Sequence, residues 1–219
     1  NTRFGFLVSS FSVIMMILFI VVGGFNWIDQ IIRAYQFNSE IITGIIYFFT
    51  LFIINDIISL PFVIYSIFFI EEKYGFNKTT PTIFIFDKIK GLIITLLVGS
   101  VLIGSILYFF EIYGNIAWKY AWGVMTFFIV VMPPLYINWI APLFNKFTPL
   151  GSGELRDLIE EYATRVQFPL KEIYVMDGSK RSSHSNAYFI GFGKNKRIVL
   201  YDTLLDKHSH QEIIAILAH

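Results

Sequence analysis

Phe4-Gly-Phe-Leu-Val-Ser-Ser-Phe-Ser-Val-Ile-Met-Met-Ile-Leu-Phe-Ile-Val-Val-Gly-Gly-Phe25 carries no charge from end to end. About 20 apolar residues of helix cross the roughly 30 Å hydrocarbon core of a bilayer, so this stretch is expected to span a membrane. Three more stretches qualify. Gly91–Phe110 is as clean once Lys88 and Lys90 are past. Ile41–Ile70 is longer and holds Asn55, Asp56 and Pro61, while Ala121–Phe144 holds Pro133-Pro134. Both are expected to be kinked, because proline removes a backbone donor and collides with the preceding turn. Trp27, Trp118, Trp122 and Trp139 lie near the predicted ends, where amphipathic rings favour the membrane interface.

Composition agrees with a polytopic membrane protein. Of 219 residues 55% are hydrophobic and only 15% charged, with mean hydropathy +0.63, which excludes an average soluble domain. The net charge of +1 hides an asymmetry. Four crossings place the N-terminal flank, the 71–90 loop and everything after Phe144 on one side, with nearly all the Lys and Arg; the 26–40 and 111–119 loops keep only Arg33 and Lys119. By the positive-inside rule the tail faces the cytosol. Cysteine is absent, which rules out a disulfide framework, a thiol nucleophile and thiolate ligands; any metal falls to His, Asp or Glu. Asn1-Thr-Arg is neither an initiator methionine nor a basic leader, so the chain is expected to be an internal fragment.

The fold class expected is therefore a mainly α polytopic domain over 1–144, with about four transmembrane helices, followed by the start of an α+β domain over 145–219. Leu155, Leu158, Ile159, Tyr162 and Val166 recur at helical spacing, predicting a helix over Glu154–Val166 capped by Ser152 and stopped before Pro169. Ile173–Met176 reads as a strand. Asn186–Ile190 and Arg197–Tyr201 read as a hairpin around Gly191-Phe-Gly-Lys-Asn-Lys.

The tail closes with Ser209-His-Gln-Glu-Ile-Ile-Ala-Ile-Leu-Ala-His219. Ser209 and Glu212 form a capping-box pair, and Ile213, Ile214, Ile216 and Leu217 give the helix an apolar stripe. The ending looks like the first half of an H-E-x-x-H zinc helix, in which two histidines one turn apart hold the metal and the glutamate handles the water proton. On its own, a terminal histidine is more often an ordinary polar helix end.

Further motifs raise that prior. From Phe69-Ile-Glu-Glu-Lys-Tyr-Gly-Phe-Asn-Lys78 through Ala141-Pro-Leu-Phe-Asn-Lys-Phe-Thr-Pro-Leu150, Phe168-Pro-Leu, Ser179-Lys-Arg-Ser-Ser-His-Ser-Asn-Ala-Tyr-Phe189 and Lys196-Arg-Ile-Val-Leu-Tyr-Asp-Thr-Leu-Leu205, the chain resembles the type I CAAX prenyl proteases. These are multi-pass zinc endopeptidases of prenylated proteins. Before Phe69 the resemblance rests on span order and Pro61. It implies transmembrane helices around a water-filled chamber, closed on the cytosolic side by the metalloprotease domain. It also implies one zinc ion with His219 as the first ligand, the base glutamate and remaining ligands lying beyond His219, and an inactive fragment that binds zinc weakly. The partners implied are prenylated proteins or peptides and the bilayer, of the endoplasmic reticulum in a eukaryote or the inner membrane in a bacterium.

Under that resemblance Asn186, Ala187 and Tyr188 become an edge strand beside the zinc helix, to which an extended substrate adds as a further strand. His184 becomes a substrate contact, although a hydrogen-bonded loop histidine is the plainer reading. His208 and His210 diverge on a helix and read as solvated residues at its start. Glu71 and Glu72 are adjacent rather than facing and read as structural. Asp56, and more weakly Asn138, call for a wet cavity or a partner inside the membrane. The basic runs Lys180-Arg181 and Lys194–Arg197 lack interleaved stacking aromatics, which argues against nucleic acid and suits lipid headgroups. The alternative class is a transporter or channel with a small cytosolic domain; it predicts repeats among the spans, and the sequence holds none. A noncatalytic membrane scaffold is the second alternative.

Overall fold

The computed structural model describes residues 2–191, 193 and 195–218. They form two compact units, one holding the chain up to Ile70 together with Gly91–Phe128, the other holding Glu71–Lys90 together with the chain from Ile129 onward.

In the first unit, helix α1 (Thr2–Val21) stops four residues short of the expected span. Gly23 reverses the chain at φ 70, a left-handed conformation that suits glycine. Helix α2 (Gly24–Ala34) follows, so most of the expected 26–40 loop is helical. Its signal is amphipathic: Ile28 and Ile32 are buried, while Arg33 reaches Asp29 at 2.9 Å and Glu40 at 3.0 Å. Helix α3 (Glu40–Tyr65) starts where the Ser39 hydroxyl accepts the Ile42 N–H, runs through Pro61, and widens into a π-helical turn over Ser66–Glu71. Pro61 thus lies within a continuous helix, and the π-helical turn follows it downstream.

Helix α4 (Pro81–Tyr113) begins ten residues before the expected span. Pro81 presets its first turn and Thr80 Oγ1 accepts the Ile83 N–H at 3.3 Å, so Asp87, Lys88 and Lys90 extend the helix instead of lying in a loop. In the first unit, α3 and α4 meet at glycines. A Cβ on Gly44 would sit 2.5 Å from Leu107, and one on Gly99 3.1 Å from Phe49. Small residues of this kind let membrane helices approach closely. Gly114, at φ 50, turns the chain into α5 (Ala117–Leu135), and Tyr120 stacks back on Tyr113 and Phe109 at 4.3 and 5.1 Å. Among the described residues Thr2–Val21, Glu40–Glu71 and the run Pro81–Phe144 are long and apolar enough to cross a membrane. The last is α4 and α5 joined through Gly114, so each of the four expected stretches falls on a long helix.

In the second unit Pro133-Pro134 stay within α5, and a π-helical turn over Tyr136–Ile140 leads into the short helix α6 (Ala141–Phe144). Asn138 donates its side-chain amide to the Pro134 carbonyl at 2.7 Å, so its partner is the backbone of this irregular turn. Strands β1 (Phe147–Pro149), β2 (Leu170–Met176), β3 (Ala187–Ile190) and β4 (Lys196–Tyr201) form one mixed sheet. Its order is β1-β2-β4-β3. The β3–β4 hairpin is antiparallel as expected, whereas β2 and β4 run parallel.

Helices α7 (Glu154–Arg165), α8 (Asp202–Lys207) and α9 (His210–Ala218) complete the unit. Ser152 does not cap α7; Gly153 precedes it with no side-chain cap, and Glu154 and Asp157 in the first turn supply the negative charge that a helix start favours. Ile159 of α7, Ile173 of β2, Ile198 and Leu200 of β4, Leu204 of α8, and Ile213 and Leu217 of α9 pack as a single core. Strand alternation sends Tyr174, Met176, Tyr188, Ile190, Arg197 and Tyr201 to the opposite face.

Candidate functional site

Helix α9 is set by its first turn. The Ser209 N–H donates to Glu212 Oε2 at 2.8 Å and the Glu212 N–H donates to Ser209 Oγ at 3.4 Å, the reciprocal capping box read from the sequence. Hydrogen bonds from the Ser209 backbone and hydroxyl, with a smaller contribution from His208, hold the Glu212 carboxyl below the usual glutamate range. Ile213 and Leu217 fix the other face in the core. His210 Nδ1 lies 3.2 Å from Glu154, and His208 Nδ1 3.8 Å from Glu212. The candidate ligand His219 lies outside the described residues. Among those described, no three His, Asp or Glu side chains converge on a metal position.

Among the described residues strand β3 is one edge of the sheet, β1 being the other. The Tyr201 N–H donates to the Asn186 carbonyl at 3.0 Å. With Ala187 opposite Leu200, this phase makes Tyr188–Val199 and Ile190–Arg197 the hydrogen-bonded pairs, so the N–H and C=O of Ala187 and Phe189 point to the open side. One outward group is occupied: the Ala187 N–H donates to Asn186 Oδ1 at 2.9 Å. Ala187 packs against the core that α9 helps to build, whereas Tyr188 turns to the other face. Burial, and then its neighbours Tyr201 and Tyr136, push the Tyr188 phenol up to about 12. Asn186, Ala187 and Tyr188 therefore stand together at one edge. The exposed His184 ring sits upstream, stacked on Phe76 at 4.1 Å.

The loop before β3 is held at many points within the second unit. Arg181 grips Asp87 through both carboxylate oxygens, and also donates to Asn145 Oδ1 and the Phe144 carbonyl, each at 2.7 Å. Its own carbonyl accepts the Lys78 N–H and the Thr79 hydroxyl, both at 3.0 Å. Arg181 is thus a clamp between segments and not a headgroup contact. The Ser183 N–H donates to the Phe76 carbonyl at 3.0 Å. Thr203 Oγ1 donates to the His184 carbonyl at 2.8 Å, and Ser185 Oγ donates to the Thr203 carbonyl at 3.1 Å. Glu72 accepts from the Asn77 amide at 3.1 Å, the structural role read for that acidic pair. Sequence reasoning missed the clamp, whose one visible trace is Asp87 at the charged start of an otherwise apolar helix.

Comparison with known proteins shows which family the chain resembles. Residues 1–146 match the family model described as CAAX prenyl protease N-terminal, five membrane helices, and residues 149–219 match peptidase family M48. A probable CAAX prenyl protease 1 of Schizosaccharomyces pombe is 40% identical over 228 residues, covering 99% of this chain and 48% of that protein. CAAX prenyl protease 1 homologs of Arabidopsis thaliana and Homo sapiens are 48% and 44% identical, covering 75% and 78% of this chain and 39% and 36% of those proteins. The crystal structure of S. mikatae Ste24p matches with a TM-score of 0.91 at 37% identity, over 99% of this chain and 52% of that one. The chain spans less than half the length of these curated relatives.

Proposed function

The chain belongs to the CAAX prenyl protease family, and from that premise we propose that the protein carrying it is a membrane-embedded zinc endopeptidase cutting prenylated proteins near their C-terminus. Membership of peptidase family M48 implies a metal. Zinc is the metal assigned to it, and His219 is the residue of this chain assigned as a ligand. A bound zinc lowers the pKa of its water and polarises a carbonyl.

The observation that supports the reading is strand β3, at an edge of the sheet among the described residues and built on the same core as α9. An extended peptide adding to β3 takes hydrogen bonds from the outward groups of Ala187 and Phe189, replacing the Asn186 carboxamide at the Ala187 N–H. Its backbone is then oriented by a strand that Arg181 and Thr203 hold in place. His184, whose exposed ring stands upstream of β3, is assigned a substrate contact. The membrane setting has a physical basis: a prenyl chain gains about 0.8 kcal/mol per buried CH₂, so enzyme and substrate meet within two dimensions. Residues 145–219 are assigned to the cytosolic side.

The test is made on the whole protein, purified in detergent. One equivalent of zinc and cleavage of a farnesylated CAAX peptide are expected, both lost in His219→Ala. A wild-type protein with no stoichiometric metal and no cleavage would overturn the reading.

A further inference from the structure

We infer that the cavity between residues 133–147 and the Tyr188 face of the sheet binds the phosphate of an anionic phospholipid, held by Arg197 and the tyrosines around it. The inference goes beyond the peptidase reading. It needs only that the helical run Pro81–Phe144, which is long and apolar enough to cross a membrane, does cross one.

The cavity holds about 510 Å³, and among the described residues Arg197 is the one charged side chain in its lining, with Asn138, Tyr136, Tyr174 and Tyr201 beside it. The guanidinium is fixed in position: Nη1 donates to Asn138 Oδ1 at 3.2 Å, and the group lies over the Tyr174 ring at 5.7 Å. Glu172, its neighbour on β2, is taken by Arg156 at 2.9 Å and does not neutralise it. Among the described residues no protein acceptor takes the Nε or Nη2 hydrogens of Arg197, or the hydroxyls of Tyr136, Tyr174 and Tyr201. Every buried side-chain nitrogen or oxygen there has a partner, so these spare donors are reachable from outside. A guanidinium fork among hydroxyls matches the several oxygens of a phosphate. A purely apolar occupant would leave those donors desolvated without acceptors.

The place of the cavity decides the source of that phosphate. Its far wall includes Pro133, Ile137 and Pro142, which lie in the closing turns of the run Pro81–Phe144. Trp139, on the same turns and next to the residue that Arg197 grips, is 74% exposed, an amphipathic ring of the kind that marks the headgroup level. Two carbonyls at the end of α6 that would repel an anion are already served, Leu143 by Lys90 Nζ at 2.8 Å and Phe144 by Arg181 at 2.7 Å. A lipid whose chains lie along the run therefore brings its phosphate to the level of Arg197. A free phosphate gains nothing from the apolar wall.

The test uses the whole protein, purified in detergent and stripped of lipid. It is offered dioleoyl phosphatidic acid, dioleoyl phosphatidylcholine, dioleoylglycerol or inorganic phosphate, and bound molecules are counted by native mass spectrometry. Phosphatidic acid is expected to be retained over the other three. Arg197→Met should weaken its binding at least about ten-fold and Tyr174→Phe, which keeps the ring and removes the hydroxyl, about three-fold, the scales of charged and neutral hydrogen bonds. Thermal unfolding shows that the variants fold; should Arg197→Met fail to, Tyr174→Phe and Tyr201→Phe decide the matter. Unchanged retention in the folded variants, or equal retention of dioleoylglycerol, overturns the proposal. Inorganic phosphate bound as tightly as the lipid also overturns it, by giving the site to a soluble anion. So does displacement of phosphatidic acid by a peptide with a free C-terminus but not by its amide, which gives the site to a substrate carboxylate. None of these readouts uses turnover, so absence of zinc and of cleavage remains the separate failure of the peptidase reading.

Discussion

Arg181 and Asp87 stand 94 positions apart in the chain and meet as a two-pronged ion pair at 2.7 and 3.0 Å, each side chain only 24% exposed. The guanidinium also serves the Phe144 carbonyl and Asn145. Removing it leaves a shielded carboxylate and a carbonyl without their donor.

Arg181→Ala should therefore lower stability by about 2–4 kcal/mol. Arg181→Lys should recover little, since an ammonium cannot reproduce the fork. Thermal unfolding of the detergent-solubilised protein measures both. The pair Arg181→Met with Asp87→Leu should be less harmful than Arg181→Ala alone, because no unpaired charge is left behind.

Gly191 has φ +99, and a Cβ there would lie 2.2 Å from the Asn195 carbonyl oxygen. Backbone strain of this kind costs about 1–3 kcal/mol. Gly191→Ala should loosen the β3–β4 hairpin, seen as faster amide exchange at Ala187–Ile190, while amides in α1 keep their rates.

Burial keeps the Tyr188 phenol protonated up to about pH 12, against an ordinary 10. A folded-state pKa raised in this way gives stability that is complete below 10 and disappears as pH climbs from 10 toward 12. Ultraviolet titration should show a late-ionising tyrosine component that is lost in Tyr188→Phe. That variant should also lose less stability across the alkaline window.

The Glu212 carboxyl works in the opposite direction. Its pKa is lowered in the folded chain by the Ser209 hydrogen bonds, so its support for α9 is present above the usual glutamate pKa and fades as pH falls through the lowered folded value. Protection factors for the amides of His210–Ala218 should fall in acid. Glu212→Gln should flatten that dependence, and Ser209→Ala should weaken α9 at every pH.

How much of this was written in the sequence depends on the range of each interaction. The long helices were legible because the bilayer selects residues one by one, and the β3–β4 hairpin because its strands are neighbours along the chain. The capping box of α9 needs two residues three apart, and it was read directly. Helix α2 escaped because its 11 residues are too short to register as a span. The parallel partnership of β2 with β4 has no local signature, since β3 lies between them in the chain. Prolines 61, 133 and 134 pointed to the right regions but not to the π-helical turns that follow them, because such turns have no sequence signature of their own. The basic pair Lys180-Arg181 misled because a surface-like dipeptide gives no hint of an acceptor at Asp87.

The strand order β1-β2-β4-β3 also governs how the sheet can be assembled as the chain is made. Leu170–Met176 leaves the ribosome with its second side vacant, and the neighbour destined for that place, Lys196–Tyr201, is translated only after the intervening strand. Two strands with unfilled rims therefore coexist during synthesis beside a newly inserted membrane segment. A chaperone would have its work concentrated in that interval, and a pause in translation just before Lys196 would prolong the exposure.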